Sequence, residues 1–368
     1  MPIHVWDYRD ELEVERPDII DAVDRVLQSG RLILGESVRS FEEEFASYCG
    51  VRFGVGVNSG TDALMLALIA LGIQPGDEVL TVANTAIPTI SAIVSAGAVP
   101  RFVDIVPGTY LMDTERIASA ITTRVTCILP VHLFGQCVDM NPVLDIARQR
   151  GVKLLEDCAQ SHGARYRGRL AGSMGDAAAF SFYPTKVLGG CGDGGMVLTS
   201  SEPVTARVRR LRVYGTEGTY YAVEHGYNSR LDELQAEILR TKLRRLDEYI
   251  ARRRAVAARY DALLAGSGLL LPETAAHNVH TYHLYVVRHP QRDRIVAEMS
   301  RHDIMLSVHY PWPVHVMPAY QRFGYRAGSL PHTEAAAREI FSLPMYPSLA
   351  ADRQDHVCDR LRHVMANL

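Results

Sequence analysis

The sequence predicts an α/β protein with two parts. A large domain carries a mostly parallel sheet covered on both faces by helices, and a smaller α/β domain follows it. Between residues 53 and 156, short apolar strand-like runs alternate with helical patterns, the order that builds a parallel sheet. Beyond Gly266 the alternation restarts on a shorter scale. A chain of 368 residues also exceeds what one simple core serves. The boundary is placed near residue 240, giving domains 1–240 and 241–368.

The first fifty residues read as helical, with Pro17 near the start of a helix running to about Gln28 and Gly30 as its stop. Strand Phe53 to Val57 follows, then a helix from about Thr61 to Leu71, ended by Gly72 and the turn Gln74-Pro75-Gly76-Asp77. Strand Glu78 to Val82, a helix near Pro88 to Ala96 and strand Pro100 to Asp104 continue the series. A helix near Thr114 to Ala120, strand Val125 to Val131, helix Met140 to Arg150 and strand Val152 to Glu156 complete it. One long helix is expected from about Leu231 to Leu264, because Leu239, Leu243, Leu246 and Ile250 recur on one face. The run Arg252-Arg253-Arg254 on it reads as a solvated face. The smaller unit adds strand Thr281 to Val287, helix Gln291 to Arg301, strand Met305 to Val308 and helix Thr333 to Phe341.

Composition narrows the class. A net charge of −3 argues against nucleic acid or an anionic membrane as the main partner. No apolar run is long enough for a bilayer, and Met1-Pro2-Ile3-His4-Val5-Trp6-Asp7 lacks the basic start and apolar core of a signal peptide. The six cysteines are scattered with no CxxC pair, so they read as small buried hydrophobes in a reducing cytosol. A cytoplasmic enzyme without a metal is the expectation.

Three segments carry chemistry. Lys186 lies on a loop after the apolar run Ala177 to Phe182, where burial lowers an ammonium pKa and makes the amine a nucleophile and Schiff-base former. Asp157 ends another buried strand, where α/β sheets bind ligands, and a carboxylate there suits a pyridine nitrogen. Asn58-Ser59-Gly60-Thr61 sits between a strand and a helix start, a ready phosphate site; the plainer role is a helix cap by Ser59 or Thr61. Amine, carboxylate and phosphate cradle are what a protein supplies to pyridoxal phosphate (PLP). Gln160 lies within reach of the ring, and Ser181 is a further phosphate donor. The glycines from Gly189 to Gly195 precede a strand, not a helix, so they read as tight turns beside the cofactor and not as a nucleotide fingerprint. Two prolines between His309 and His315 argue against a helical metal-ligand pair.

These residues resemble the PLP-dependent nucleotide-sugar aminotransferases of aspartate-aminotransferase-type fold. The resemblance runs from Ser29-Gly30-Arg31-Leu32-Ile33-Leu34-Gly35 to His309-Tyr310-Pro311. It is strongest at Asn58 to Thr61, Glu156 to Gln160, Phe182 to Lys186 and Gly226-Tyr227-Asn228-Ser229-Arg230-Leu231-Asp232-Glu233. It implies a fold-type-I large domain with a sheet of the seven-stranded type. It makes Lys186 the cofactor-bearing lysine and general base, Asp157 the pyridine-nitrogen partner, and Gly60, Thr61 and Ser181 the phosphate ligands. Gln160 lies against the cofactor, and Asn228 reaches the phosphate of a second subunit in a homodimer. Tyr183, Tyr221, His309 and Tyr310 match positions near the nucleotide-sugar.

One departure stands out. Many members stack an aromatic on the ring where this chain has Ala86, and His162 is the candidate to replace it. The implied reaction is a ping-pong transamination between L-glutamate and a keto-sugar, at C3 of a dTDP-3-keto-6-deoxyhexose. Action at C4 of a dTDP-4-keto-6-deoxyhexose is the alternative. A sugar dehydratase of this fold generally carries histidine in place of Lys186, and a regulator without turnover is expected to lose sugar-site residues or gain a DNA-binding segment.

Overall fold

The computed structural model describes residues 2–368. Its centre is a seven-stranded sheet in the order Phe53–Val57, Gly195–Thr199, Ala177–Ser181, Lys153–Asp157, Val125–Ile128, Glu78–Val82, Val99–Val103. Gly195–Thr199 runs antiparallel to both neighbours, and the other pairings are parallel. Most of these residues are buried on both faces, which is why the strands read as unbroken apolar runs instead of alternating ones. The register Asp157↔Ala179 leaves Asp157 and Ser181 at the same end of adjacent parallel strands. That end, carrying the strand C-termini, is where the loops assemble a site.

Several elements depart from the expectations, each for a physical reason. The first long helix spans Arg9–Ser29 and holds Pro17 in its interior. Proline there removes one helical hydrogen bond, but Pro17 and Glu13 face water, and packing of Ile19, Ala22 and Val26 holds the helix. The expected helix from Leu231 to Leu264 is two helices, Glu233–Leu243 and Leu246–Leu264. Arg240 and Lys242 close the first, and Asp247 and Glu248 open the second, so each end carries the charge its dipole favours. Arg253 is not on a solvated face: it is buried and donates to the Met345 carbonyl at 2.9 Å, while Arg252 and Arg254 stay exposed. Burial pushes its guanidinium down to about 10, with Glu11 opposing.

The expected helix Thr114 to Ala120 opens as a 3-10 turn, Thr114–Arg116, before Ile117–Ala120. In the smaller unit the expected strand from Thr281 is only Tyr285–Arg288, and that from Met305 is Ile304–Met305. The helix Pro331–Glu339 stops before Ile340–Leu343, an unexpected strand that pairs antiparallel with Tyr285–Arg288. Ile340-Phe341-Ser342-Leu343 is apolar enough to read as more helix; pairing and complete burial make it a strand.

A second apolar cluster gathers Tyr260, Leu264, Tyr285, Ile295, Phe341 and Leu361, and it includes Ile3. The chain's first strand, Ile3–His4, pairs parallel with Ile304–Met305, and the Val5 carbonyl accepts from the Met345 N–H at 2.9 Å. The N-terminal residues therefore pack with the smaller unit. Two motifs far apart in sequence also meet. The Glu233 carboxylate accepts from the N–H groups of Gly35, Ser37 and Val38 at 2.7–3.0 Å, capping the helix Glu36–Cys49 where Gly35 has no side chain to do so. Five cysteines are buried, but Cys191 is exposed on the glycine-rich loop, against the expectation for all six.

Candidate active site

A cavity of about 640 Å³ opens at the C-terminal end of the sheet. Lys186, Asp157, Gln160, Ser181, Gly60 and Thr61 all line it. Its position follows from the fold, since Asp157 and Ser181 end two adjacent strands and Gln160 and Lys186 follow them.

The end of the cavity at Gly60 is built by close packing. Ser59 caps the helix Gly60–Ala70, its hydroxyl accepting from the Asp62 N–H at 3.1 Å. Both roles weighed for this segment coexist: Ser59 caps, and the N–H groups of Gly60 and Thr61 have no protein acceptor among the described residues. A Cβ on Gly60 would stand 2.6 Å from the Cβ of Ser181, so only glycine lets the helix start approach that strand end. From behind, Ser229 donates to the Asp62 carboxylate at 2.7 Å and accepts from the Asn58 N–H at 3.2 Å. Ser229 is a locking residue that sequence reading missed, although it stood inside a motif already singled out.

The glycines after Lys186 serve chain packing more than cofactor approach. A Cβ on Gly189 would overlap the Pro184 carbonyl oxygen, and one on Gly195 the Ser59 carbonyl carbon. They hold the lysine loop and the phosphate loop together, and of that run only Asp193 lines the cavity.

At the opposite end, Asp157 is 3 % exposed and accepts from the Thr89 hydroxyl at 2.8 Å and the Ala159 N–H at 3.1 Å. Thr89 is in turn 2.7 Å from the Thr85 hydroxyl. Burial raises the Asp157 carboxyl above its ordinary range, against Thr89, the Ala159 N–H and Lys186, which favour the charged form. Lys186 forms no ion pair among the described residues. Burial brings its amine down to about 8, with Asp157 opposing. An amine, a buried carboxylate and a helix N-terminus held open by glycine fit PLP: Lys186 would carry it, Asp157 would face its ring nitrogen, and Gly60, Thr61 and Ser181 would hold its phosphate.

Gln160 is committed at both ends, accepting from the Phe134 N–H at 2.9 Å and donating to the Tyr310 hydroxyl at 2.9 Å. It therefore sets Tyr310, whose hydroxyl burial pushes up to about 12. His309 lies on the cavity with Nδ1 2.8 Å from Ser342 Oγ, and burial lowers its imidazolium to about 4, Lys186 adding to the effect. Tyr183 lines the cavity and is half exposed.

Three expectations need correction or relocation. His162 does not clamp a ring: it is fully buried outside the cavity, 5.2 Å from the Phe180 ring centroid and packed with Phe45 and Phe182. It is apolar packing in effect, with its imidazolium driven down to about 3 by burial. Ala86 does line the cavity, flanked by Thr85 and Pro88, and no aromatic replaces it in that segment. Tyr221 is 70 % exposed and Asn228 is exposed; neither lines this chain's cavity. The N-terminal residues His4, Val5 and Trp6 do line it, which nothing in their pattern announced.

The neighbouring Glu156 is structural. Its buried carboxylate accepts from His132 Nε2 at 2.9 Å and from the N–H groups of Gly172, Met174 and Gly175 at 2.7–3.0 Å. Four donors thus satisfy the Glu156 carboxylate.

Fold and site together define a PLP-dependent sugar aminotransferase. The chain belongs to the DegT/DnrJ/EryC1/StrS aminotransferase family, whose model matches residues 13–362. It is 54 % identical, over all of both chains, to the dTDP-3-amino-3,4,6-trideoxy-alpha-D-glucose transaminase of Micromonospora megalomicea subsp. nigra. It is 40 % identical to a pleiotropic regulatory protein of Geobacillus stearothermophilus, over 98 % of each chain. The crystal structure of S. venezuelae DesV in complex with a ketimine intermediate superimposes with a TM-score of 0.97 and 42 % identity, covering 100 % of this chain and 99 % of that one.

Proposed function

We propose that this enzyme transfers an amino group from L-glutamate to C3 of a dTDP-3-keto-6-deoxyhexose. The observation that carries the reading is end-to-end similarity, at 54 % identity, to a transaminase named for a 3-amino sugar. The cavity chemistry agrees with it. When bound, PLP supplies an exchangeable carbonyl and an electron sink for C–H cleavage. Lys186, with an amine near pKa 8, has a neutral fraction in mildly alkaline solution. It takes a proton from the donor's α-carbon and returns one to the sugar carbon. Asp157, fixed by Thr89 and Ala159, holds positive charge at the ring nitrogen.

The sharing of sites between two copies of the chain belongs to the same proposal. Exposure of Asn228 and Tyr221 outside their own cavity supports a homodimer in which each reaches the other copy's site. A division near residue 240 is supported by the second apolar cluster, which apart from Ile3 is drawn from residues beyond 255, with the N-terminal strand joining the smaller unit. A cytoplasmic location accords with the lack, among the described residues, of any helix long and apolar enough to cross a membrane.

The test is spectral. L-glutamate should bleach the yellow band of purified holoenzyme, and a dTDP-3-keto-6-deoxysugar should restore it. Restoration only by a dTDP-4-keto-6-deoxysugar would move the reaction to C4. A band indifferent to every amino donor would overturn the transaminase reading in favour of a regulatory role like that named for the Geobacillus relative.

A further inference from the structure

We infer that Trp6 is a specificity-determining residue: with Val5, Leu284, Met305 and Met345 it forms an uncharged wall that receives the deoxygenated side of the hexose. The inference rests on the nucleotide-sugar reading above. The match to the family model begins at residue 13, after this segment.

The wall is placed by backbone pairing. Ile3 pairs with Ile304 and His4 with Met305, and the Val5 carbonyl takes the Met345 N–H. Ile3 and Val5 are 8 % and 7 % exposed, so both are anchored inward. This fixes Trp6 at the rim of the Lys186 cavity, which it lines. Its ring stacks on Tyr8 with centroids 4.7 Å apart, leaving only the remaining face and edge for a ligand.

The chemistry of the wall selects its occupant. Of the polar groups that line the cavity, Asp157, Gln160, Ser181 and the start of the helix at Gly60 belong to the cofactor positions, while His4, His283, Ser307 and His309 stand on the same segments as the wall. The five wall residues carry no charge, and among them only the Trp6 indole N–H is a side-chain hydrogen-bond donor. A diphosphate would be left without a cation there, whereas C–H-rich deoxy positions lose nothing by leaving water. Trp6 also supplies aromatic surface in a cavity where Ala86 supplies none.

The chain has two tryptophans, Trp6 and Trp312, and Trp312 does not line the cavity. In a Trp312→Phe holoenzyme first converted to its amine form with L-glutamate, emission from Trp6 should shift on adding the dTDP-3-amino-deoxysugar and stay unchanged with dTDP. Trp6→Ala should raise KM for the keto-sugar about tenfold, as loss of one aromatic contact predicts. The rate at which glutamate bleaches the holoenzyme should be unaffected, and Trp6→Phe should recover most of the loss. A response to dTDP alone would assign Trp6 to the base and overturn the inference. Equal slowing of both half-reactions in Trp6→Ala, or no change in keto-sugar KM, would overturn it as well. Absence of keto-sugar turnover in the unaltered enzyme would instead strike the function proposed above.

Discussion

Gly60 and Ser181 meet so closely that a methyl group on Gly60 would stand 2.6 Å from the serine's Cβ, too close for two carbons. Contact of this kind ties the helix start to the strand end and would fix where a bound phosphate sits. Gly60→Ala is expected to keep the fold, by circular dichroism, and to weaken PLP binding roughly tenfold or more, since overpacking costs about 1–3 kcal/mol. Unchanged cofactor affinity in an equilibrium titration would contradict the assignment.

Lys186→Ala should abolish transamination while leaving the fold intact. The purified variant should lack the band that borohydride reduction traps in the unaltered protein. Residual turnover above about a thousandth of normal would remove Lys186 from its role as general base.

Capture of PLP by cofactor-free enzyme requires the neutral amine of Lys186. Burial has lowered that pKa to about 8, so the capture rate should rise with pH and reach half its maximum near 8. Stability has a matching sign. Between the folded value and the ordinary lysine value, the unfolded chain holds more protons, so the cofactor-free protein gains stability as pH rises through that window. A rate still climbing steeply at the ordinary lysine pKa would show an unperturbed amine.

Asp157→Asn should retain PLP but lower the rate of glutamate bleaching by about a hundredfold or more, because an amide does not sustain positive charge on the ring nitrogen. Thr89→Val should do the same far more weakly, a few-fold, in line with one lost hydrogen bond of about 1 kcal/mol. Equal effects from the two substitutions would contradict the dominance of the carboxylate over the hydroxyl that orients it.

Glu156→Gln tests the structural carboxylate. It should cost about 1–3 kcal/mol in denaturant unfolding near neutral pH, since an amide cannot accept from all four donors. Burial opposes ionisation, but His132 and the N–H groups of Gly172 and Gly175 outweigh it and keep the pKa below the ordinary value. The stabilisation is therefore complete above the unfolded glutamate pKa and lost as pH falls through the lower folded one. The variant and the unaltered protein should converge in acid.

Much of the site was legible because its parts are local. Lys186, Asp157 and the Gly60 helix start each sit at a strand end, and strand ends are readable as apolar runs meeting polar residues. What escaped reading was set by distant contacts. Ile340–Leu343 is a strand only because Tyr285–Arg288 lies beside it. His162 looked available until Phe45, Phe180 and Phe182 closed around it. Arg253 is drawn inward by carbonyls contributed from Met345 and Tyr282, which no spacing on its own helix reveals. The break between Leu243 and Leu246 did have a local signal, basic residues followed by acidic ones, but the leucine spacing runs through it undisturbed.

The pairing of Ile3 with Ile304 also sets an order on biosynthesis. Emerging from a ribosome, the first strand must wait while about three hundred further residues are made, because its partner is encoded near the far end. The seven-stranded sheet, whose last strand ends at Thr199, can assemble well before that moment. The nascent protein would thus possess its lysine, its carboxylate and its phosphate loop before the wall bearing Trp6 takes its place. A cofactor arriving early would meet an open vestibule, and the compartment that accepts sugar would be completed last.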